Sequence, residues 1–171
     1  ENAGLAGASS FKGNIVCSNT SQPTVSLCSV RNSGADGLYC NASPISISNC
    51  ALTGNALMAV RNASASMPYV QAAYNWWGDS SGPYDPTNGN PDYNPSGLGQ
   101  PVSDYVVYRP WLTQPSGTFV LTVSVVGNGS VTIAPLQPWY APGTLVTLTP
   151  VPTVCSSFDH WSGDASGSIV P

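Results

Sequence analysis

Short alternations of β-branched and polar residues, such as "TVSL" at 24–27 and "ISIS" at 45–48, run through the first third of the chain. Turn-forming stretches such as "NSGADG" and "TGN" break them. No apolar period of 3.6 residues extends far enough to predict a helix, so the pattern predicts short strands joined by tight turns. The alternations also repeat. Laying "VSLCSVRNSGADGLYC" (25–40) over "ISNCALTGNALMAV" (47–60) aligns Val25 with Ile47, Cys28 with Cys50 and Val30 with Leu52, each twenty-two apart, and brings Leu38 to Leu57 after a short gap. "NIVCSN" (14–19) matches "GLYCNA" (37–42), which sets Cys17 twenty-three residues before Cys40, and Val70 falls twenty-three after Ile47. A unit this small cannot bury an apolar face alone, so the repeat predicts coils stacked about 4.8 Å apart with like residue above like. The columns Val25/Ile47/Val70 and Val30/Leu52 are the predicted core.

After the polar stretch "TQPSG" (113–117) the alternation becomes longer and cleaner. Leu121, Val123 and Val125 alternate with Val120, Thr122 and Ser124, and "GNG" at 127–129 predicts a tight hairpin turn into "SVTIAP". "GTLVTLTPVP" reads as a third strand and "SSFDHWSGD" as a fourth, with Phe158 and Trp161 as core candidates. Both halves of the chain are therefore expected to be all-β.

The coils resemble the right-handed parallel β-helix proteins of the pectate-lyase-like kind, with their loose "I-x-N-C-x-I-x-x-N-x-x-G-I" repeats, over roughly residues 11–112. From Ala72 to Thr113 the chain reads "AAYNWWGDSSGPYDPTNGNPDYNPSGLGQPVSDYVVYRPWLT". This is similar to the segment that closes the solenoid in many bacterial extracellular β-helix proteins. The later pattern, from "LTVSVVGNGSV" to "FDHWSGD", resembles the bacterial extracellular repeats related to internalin B repeats, except that it stops at "SGSIVP" before the family's last alternating strand. Together the resemblances imply a parallel β-helix of about three to four coils with a C-terminal cap over 1–112, a linker at 113–117, and an incomplete internalin-like β-repeat over 118–171. The "NWWG" segment would end the last strand and the Gly-Ser-Pro-Asp run would turn the chain across the open core. A repeat lacking its last strands would leave a free β edge, which templates association.

Composition narrows the function classes. Only 7% of the 171 residues are charged, and 42% are hydrophobic. Polarity comes from Ser, Thr, Asn and Gly, as in secreted β-proteins. A net charge of -4 leaves too few cations to neutralise a row of phosphates, so nucleic acid is not an expected partner. No run of eighteen apolar residues exists to span a bilayer, and the first residues lack the basic start and apolar stretch of a signal peptide. The expectation is a mature product or excised fragment located outside the cell or on its surface.

Four of the five cysteines fall into stacked pairs, Cys17 with Cys40 and Cys28 with Cys50, and Cys155 is left over. Stacked Cα atoms about 4.8 Å apart lie within the span that disulfides tolerate, so each pair reads either as a coil-to-coil staple or as buried thiols. Arg31, Asp36 and Arg61 with Lys12 could be arranged as a base beside a charge-neutralising arginine, but Arg31 and Asp36 flank a turn where Asp ordinarily caps. The aspartates Asp79, Asp85, Asp92 and Asp104 cluster in sequence; Asp85, Asp92 and Asp104 are the candidate Ca²⁺ ligands, with turn capping as the plainer role. No other cofactor is expected. Tyr74, Trp76, Trp77, Tyr84, Tyr93, Trp139 and Tyr140 are candidate contacts for sugar rings, although Trp76 and Trp77, being adjacent, would face opposite sides of a strand.

The pattern points to a non-catalytic structural or adhesive protein, with further copies of itself or adjacent domains of a longer chain as partners and a filament as one outcome. The alternative is the non-catalytic end of a secreted polysaccharide lyase or hydrolase that contacts polysaccharide.

Overall fold

The computed structural model describes residues 13–18, 22–64, 69–88 and 91–164. Among them there is no helix, no closed barrel, and several small sheets. The chain divides into two compact units, Glu1–Ser116 and Gly117–Pro171.

The first unit contains strands β1 (Gly13–Ser18), β2 (Thr24–Ser26), β3 (Ser29–Arg31), β4 (Asp36–Asn41), β5 (Ser46–Ser48) and β6 (Ala51–Thr53). They are followed by β7 (Val60–Asn62), β8 (Val70–Gln71), β9 (Pro83–Tyr84), β10 (Gly99–Pro101) and β11 (Val106–Val107). Every pairing between these strands is parallel, and none joins sequence neighbours except β9 with β10. The sheets run β1-β4-β7, β11-β8-β5-β2 and β3-β6. Val25 pairs with Ile47, Val30 with Leu52, and Cys17 with Cys40, the partners that the sequence repeat aligns. The core is a column of Leu38, Ile45, Ile47, Leu52, Val60, Val70 and Val106, all essentially closed to solvent.

Two alignments shift. Leu38 pairs with Val60, twenty-two residues on, while Leu57 is half exposed. The gap that brought Leu57 into line is not needed, because the interval from Arg31 to Leu38 equals that from their partners Thr53 to Val60. Farther along, Ser46 pairs with Gln71, so Val70 falls beside Ile45 and not Ile47. The period there lengthens to twenty-five residues, with the extra length lying between β7 and β8. The next return is longer still: Val70 pairs with Val106.

Two left-handed corners recur from turn to turn. Leu27, Asn49 and Tyr74 have φ of 54°, 54° and 59°. Asn32 and Gly54, at φ 55° and 65°, form the second column. This conformation is costly for side chains other than Asn or Gly. Leu27 and Tyr74 are held in it by hydrogen bonds from their own N–H groups to Ser48 O (3.4 Å) and Pro110 O (2.5 Å).

In the second unit, β12 (Gly129–Ala134) pairs antiparallel with β13 (Thr147–Pro152). The hairpin expected across "GNG" is not formed. Phe119 instead bridges Tyr140, with N–H to C=O distances of 2.9 and 2.8 Å, and residues 120–126 pair with no strand among the described residues. Asn128 O accepts the Thr153 N–H at 3.3 Å, which ties the turn to the end of β13. Tyr140 is buried, its OH donating to Pro135 O at 2.9 Å, and the rings of Phe158 and Trp161 meet at 4.9 Å.

Candidate functional site

The polar side chains buried in the first unit fall into ladders that join one turn of the chain to the next. The clearest follows the first left-handed corner. Cys28 and Cys50 are twenty-two residues apart, and Asn75 occupies the equivalent place on the following turn. The Cys28 N–H points to Cys50 Sγ at 3.4 Å, and the Cys50 N–H to Asn75 Oδ1 at 2.9 Å. Each side chain also donates to the carbonyl two residues earlier: Cys28 to Ser26, Cys50 to Ser48, and Asn75 to Ala73 at 3.3 Å. Cysteine thus performs with sulfur what asparagine performs with its amide. Asn75, fully buried, donates further to Ile47 O and Ala72 O, both at 2.8 Å.

All five cysteines are free thiols in the structure. Cys17 and Cys40 are buried Cα partners, Cys50 is buried, and Cys28 and Cys155 are exposed. Burial pushes the Cys40 thiol up to about 12, and the neighbouring Cys17 adds to the shift. Burial raises Cys50 as well, against the opposing Cys28 N–H bond. Neither group is a ready thiolate.

The candidate base Asp36 is buried beneath Arg61, with Oδ2 2.6 Å from Nε and Oδ1 3.1 Å from Nη2. Oδ1 also accepts the Met58 N–H at 3.0 Å. That carboxylate holds a turn together and raises the Arg61 guanidinium above its ordinary value. Arg31 is exposed on the edge of β3 and is not brought to the pair; Lys12 lies outside the described residues. Beside Arg61, Tyr39, Asn62, Ser103 and Asp104 line an open polar recess.

Each of the three candidate Ca²⁺ ligands contacts protein groups. Asp85 is buried; its Oδ2 accepts the Tyr108 OH at 3.0 Å and its Oδ1 the Thr87 hydroxyl at 3.2 Å. Thr87 also contacts Asp104. Asp92 Oδ2 accepts the Tyr108 and Arg109 N–H groups at 2.8 and 3.1 Å, and its Oδ1 lies 3.6 Å from Arg109 Nε. Asp79 caps its own turn through Ser81, whose bonds lower its pKa. No group of three or more His, Cys, Asp or Glu able to hold a metal ion occurs among the described residues.

Of the candidate sugar-contacting aromatics, Trp76, Trp77 and Tyr140 are buried and Trp139 is half-buried, whereas Tyr74, Tyr84 and Tyr93 are exposed. The two adjacent tryptophans do not divide between inside and outside. The chain leaves strand geometry after Trp76, which bridges Ala51, and Trp77 packs edge-on against Tyr108 at 6.1 Å. Tyr108 in turn meets Trp111 at 6.2 Å, and the Trp111 indole donates to Ser80 O at 3.0 Å. Arg109 lies over the Trp111 ring, 4.7 Å from its centroid. Close approach sets the glycines of this segment: a Cβ at Gly97 would stand 1.9 Å from Pro83 O, and one at Gly82 2.5 Å from the Trp111 ring. Sequence does not single out Tyr108, which lies twenty-three residues from Asp85 and thirty-one from Trp77 across irregular chain, nor Trp111 beside it; Thr87, only two residues after Asp85, carries no signal beyond its place in the turn.

Asp85 carries a pH prediction. Burial raises its pKa above the ordinary 3.8, opposed by the Tyr108 and Thr87 hydrogen bonds. The folded state therefore binds this proton more tightly than the unfolded chain does. Its contribution to stability is complete below the unfolded value and declines as pH rises through the folded one. Replacing Asp85→Asn removes that titration, so thermal unfolding of the wild type should lose ground relative to the variant as pH rises above about 4. Parallel stability curves over this range would refute the assignment.

The comparisons with known proteins bear on the second unit. A family model for divergent InlB B-repeat domains matches residues 119–170. This match points to an extracellular bacterial repeat module, here with β12 and β13 as its paired strands. No curated protein and no solved structure matches the chain significantly. No helix among the described residues is long and apolar enough to cross a membrane.

Proposed function

We propose that this chain is a non-catalytic structural protein of the bacterial cell exterior, a right-handed parallel β-helix joined to an InlB B-repeat-like module, that self-associates through open β edges. The observation that carries the reading is the use made of buried polar side chains in the first unit. Asn75, Asn55, Asp36 and Asp85 each satisfy backbone or side-chain partners on neighbouring turns, so the groups with chemical potential act as braces between coils. Parallel partners returning every twenty-two to twenty-five residues support the solenoid. The family match supports the exterior location.

Electron microscopy and light scattering of the concentrated protein test it: ordered assemblies that grow with concentration are expected, and a protein that stays monomeric throughout would sink the reading. A second reading, polysaccharide contact, is favoured by the open polar recess beside Arg61 and by the exposed Tyr74 and Tyr84. Binding on a glycan array that is lost in Arg61→Ala would establish it, and no binding to any glycan would dismiss it.

A further inference from the structure

The segment 120–126, "VLTVSVV", has the composition of a strand but no strand partner among the described residues. Among the described residues its backbone makes no hydrogen bond. Val120 is 62% exposed and Val126 99%. Both ends are tied elsewhere, Phe119 to Tyr140 and Asn128 to Thr153, so the segment does not fold back onto β12 of its own chain.

The sheet beside it is equally incomplete. A two-stranded ribbon is marginal in water, and three strands with an apolar face are the usual minimum. Its two outer edges are not equivalent. Pro150 and Pro152 lie on alternate positions of β13, and proline in a sheet turns its nitrogen away from the partner strand, which leaves that outer edge short of donors. β12 contains no proline and keeps its outward N–H groups. Natural edges are blunted by charge, yet no charged residue occurs anywhere between Arg109 and Asp159.

We propose that two copies of the protein exchange this segment, residues 120–126 of each lying antiparallel along the free edge of β12 in the other. This rests on the self-association reading and names its contact. The alternation fits: Leu121, Val123 and Val125 extend the apolar face begun by Val131 and Ile133, while Thr122 and Ser124 extend the face of Ser130 and Thr132. The contact is reciprocal, so it closes as a two-fold dimer and leaves the first unit's edges available for further growth.

Light scattering on the full chain provides the test, with the double variant Leu121→Lys/Val123→Lys as the comparison. Both positions lie on the unpaired segment, so the folded signal in circular dichroism should be retained. The wild type is expected to dimerise, and the variant to need more than about tenfold higher concentration to do so. Amide exchange on the wild type alone should show residues 120–126 becoming protected as concentration rises, a readout that does not depend on the variant folding. If the wild type associates while the variant associates equally well, or while amides 120–126 stay unprotected, the exchange is wrong and association proceeds through another edge. A wild type that is monomeric at every concentration overturns both this contact and the wider reading.

Discussion

Replacing Asn75→Ala is expected to destabilise the first unit by about 3 kcal/mol or more, since each buried partner left unsatisfied costs roughly 1–3 kcal/mol. Three such partners are exposed at once: the Cys50 N–H and the carbonyls of Ile47 and Ala72. For a unit of this size the loss corresponds to a fall in melting temperature of about 10 °C. Asn75→Asp should fare little better, because a carboxylate accepts the Cys50 N–H but cannot donate to two carbonyls. Chemical denaturation of the three proteins measures the effect. A loss below about 1 kcal/mol in the alanine variant would mean that water enters and replaces the amide, and the ladder would not be the brace described.

Trp77→Ala should cost about 4 kcal/mol, in the range of fully buried large-to-small changes. Trp77 is closed to solvent, its ring packs against Tyr108, and Gly99 comes close to its Cβ and backbone oxygen. The contrast with Trp77→Phe is informative. Trp77 Nε1 is buried without a hydrogen-bond partner among the described residues, so phenylalanine removes an unsatisfied donor while retaining much of the ring. The phenylalanine variant should therefore lose distinctly less stability than the alanine variant. Equal losses in the two would show that shape alone governs the site, and that the indole N–H carries no penalty.

The closing segment shows how far the pattern reaches. "NWWGDSSGPYDP" marks the end of the regular repeat, and the burial of both tryptophans agrees with a packing role. Strand alternation sent them to opposite faces because it assumes a continuing strand, whereas the chain bends between Trp76 and Gly78, where φ reaches 97°. The aspartates were legible as a cluster but not as individuals. Only the fold brings Asp85 to the Tyr108 hydroxyl and Asp92 to the backbone of Tyr108 and Arg109, and these contacts make braces of residues that in sequence resemble cation ligands.

Local sequence determined the all-β character, the repeat that sets Val25 beside Ile47 and Cys17 beside Cys40, and the alternation of the second unit. Each follows from a two-residue strand period or from stacking of equal-length turns, which are properties of short stretches. The tertiary structure alone decided the lengthened turn that moves Val70 to Ile45, the pairing of β12 with β13 in place of the near hairpin, and the partners of every buried polar side chain. These depend on competition among distant backbone groups for the same hydrogen bonds. Phe119 bound to Tyr140 and Asn128 bound to Thr153 outweigh the local turn preference of "GNG", and no window of sequence contains both sides of that competition.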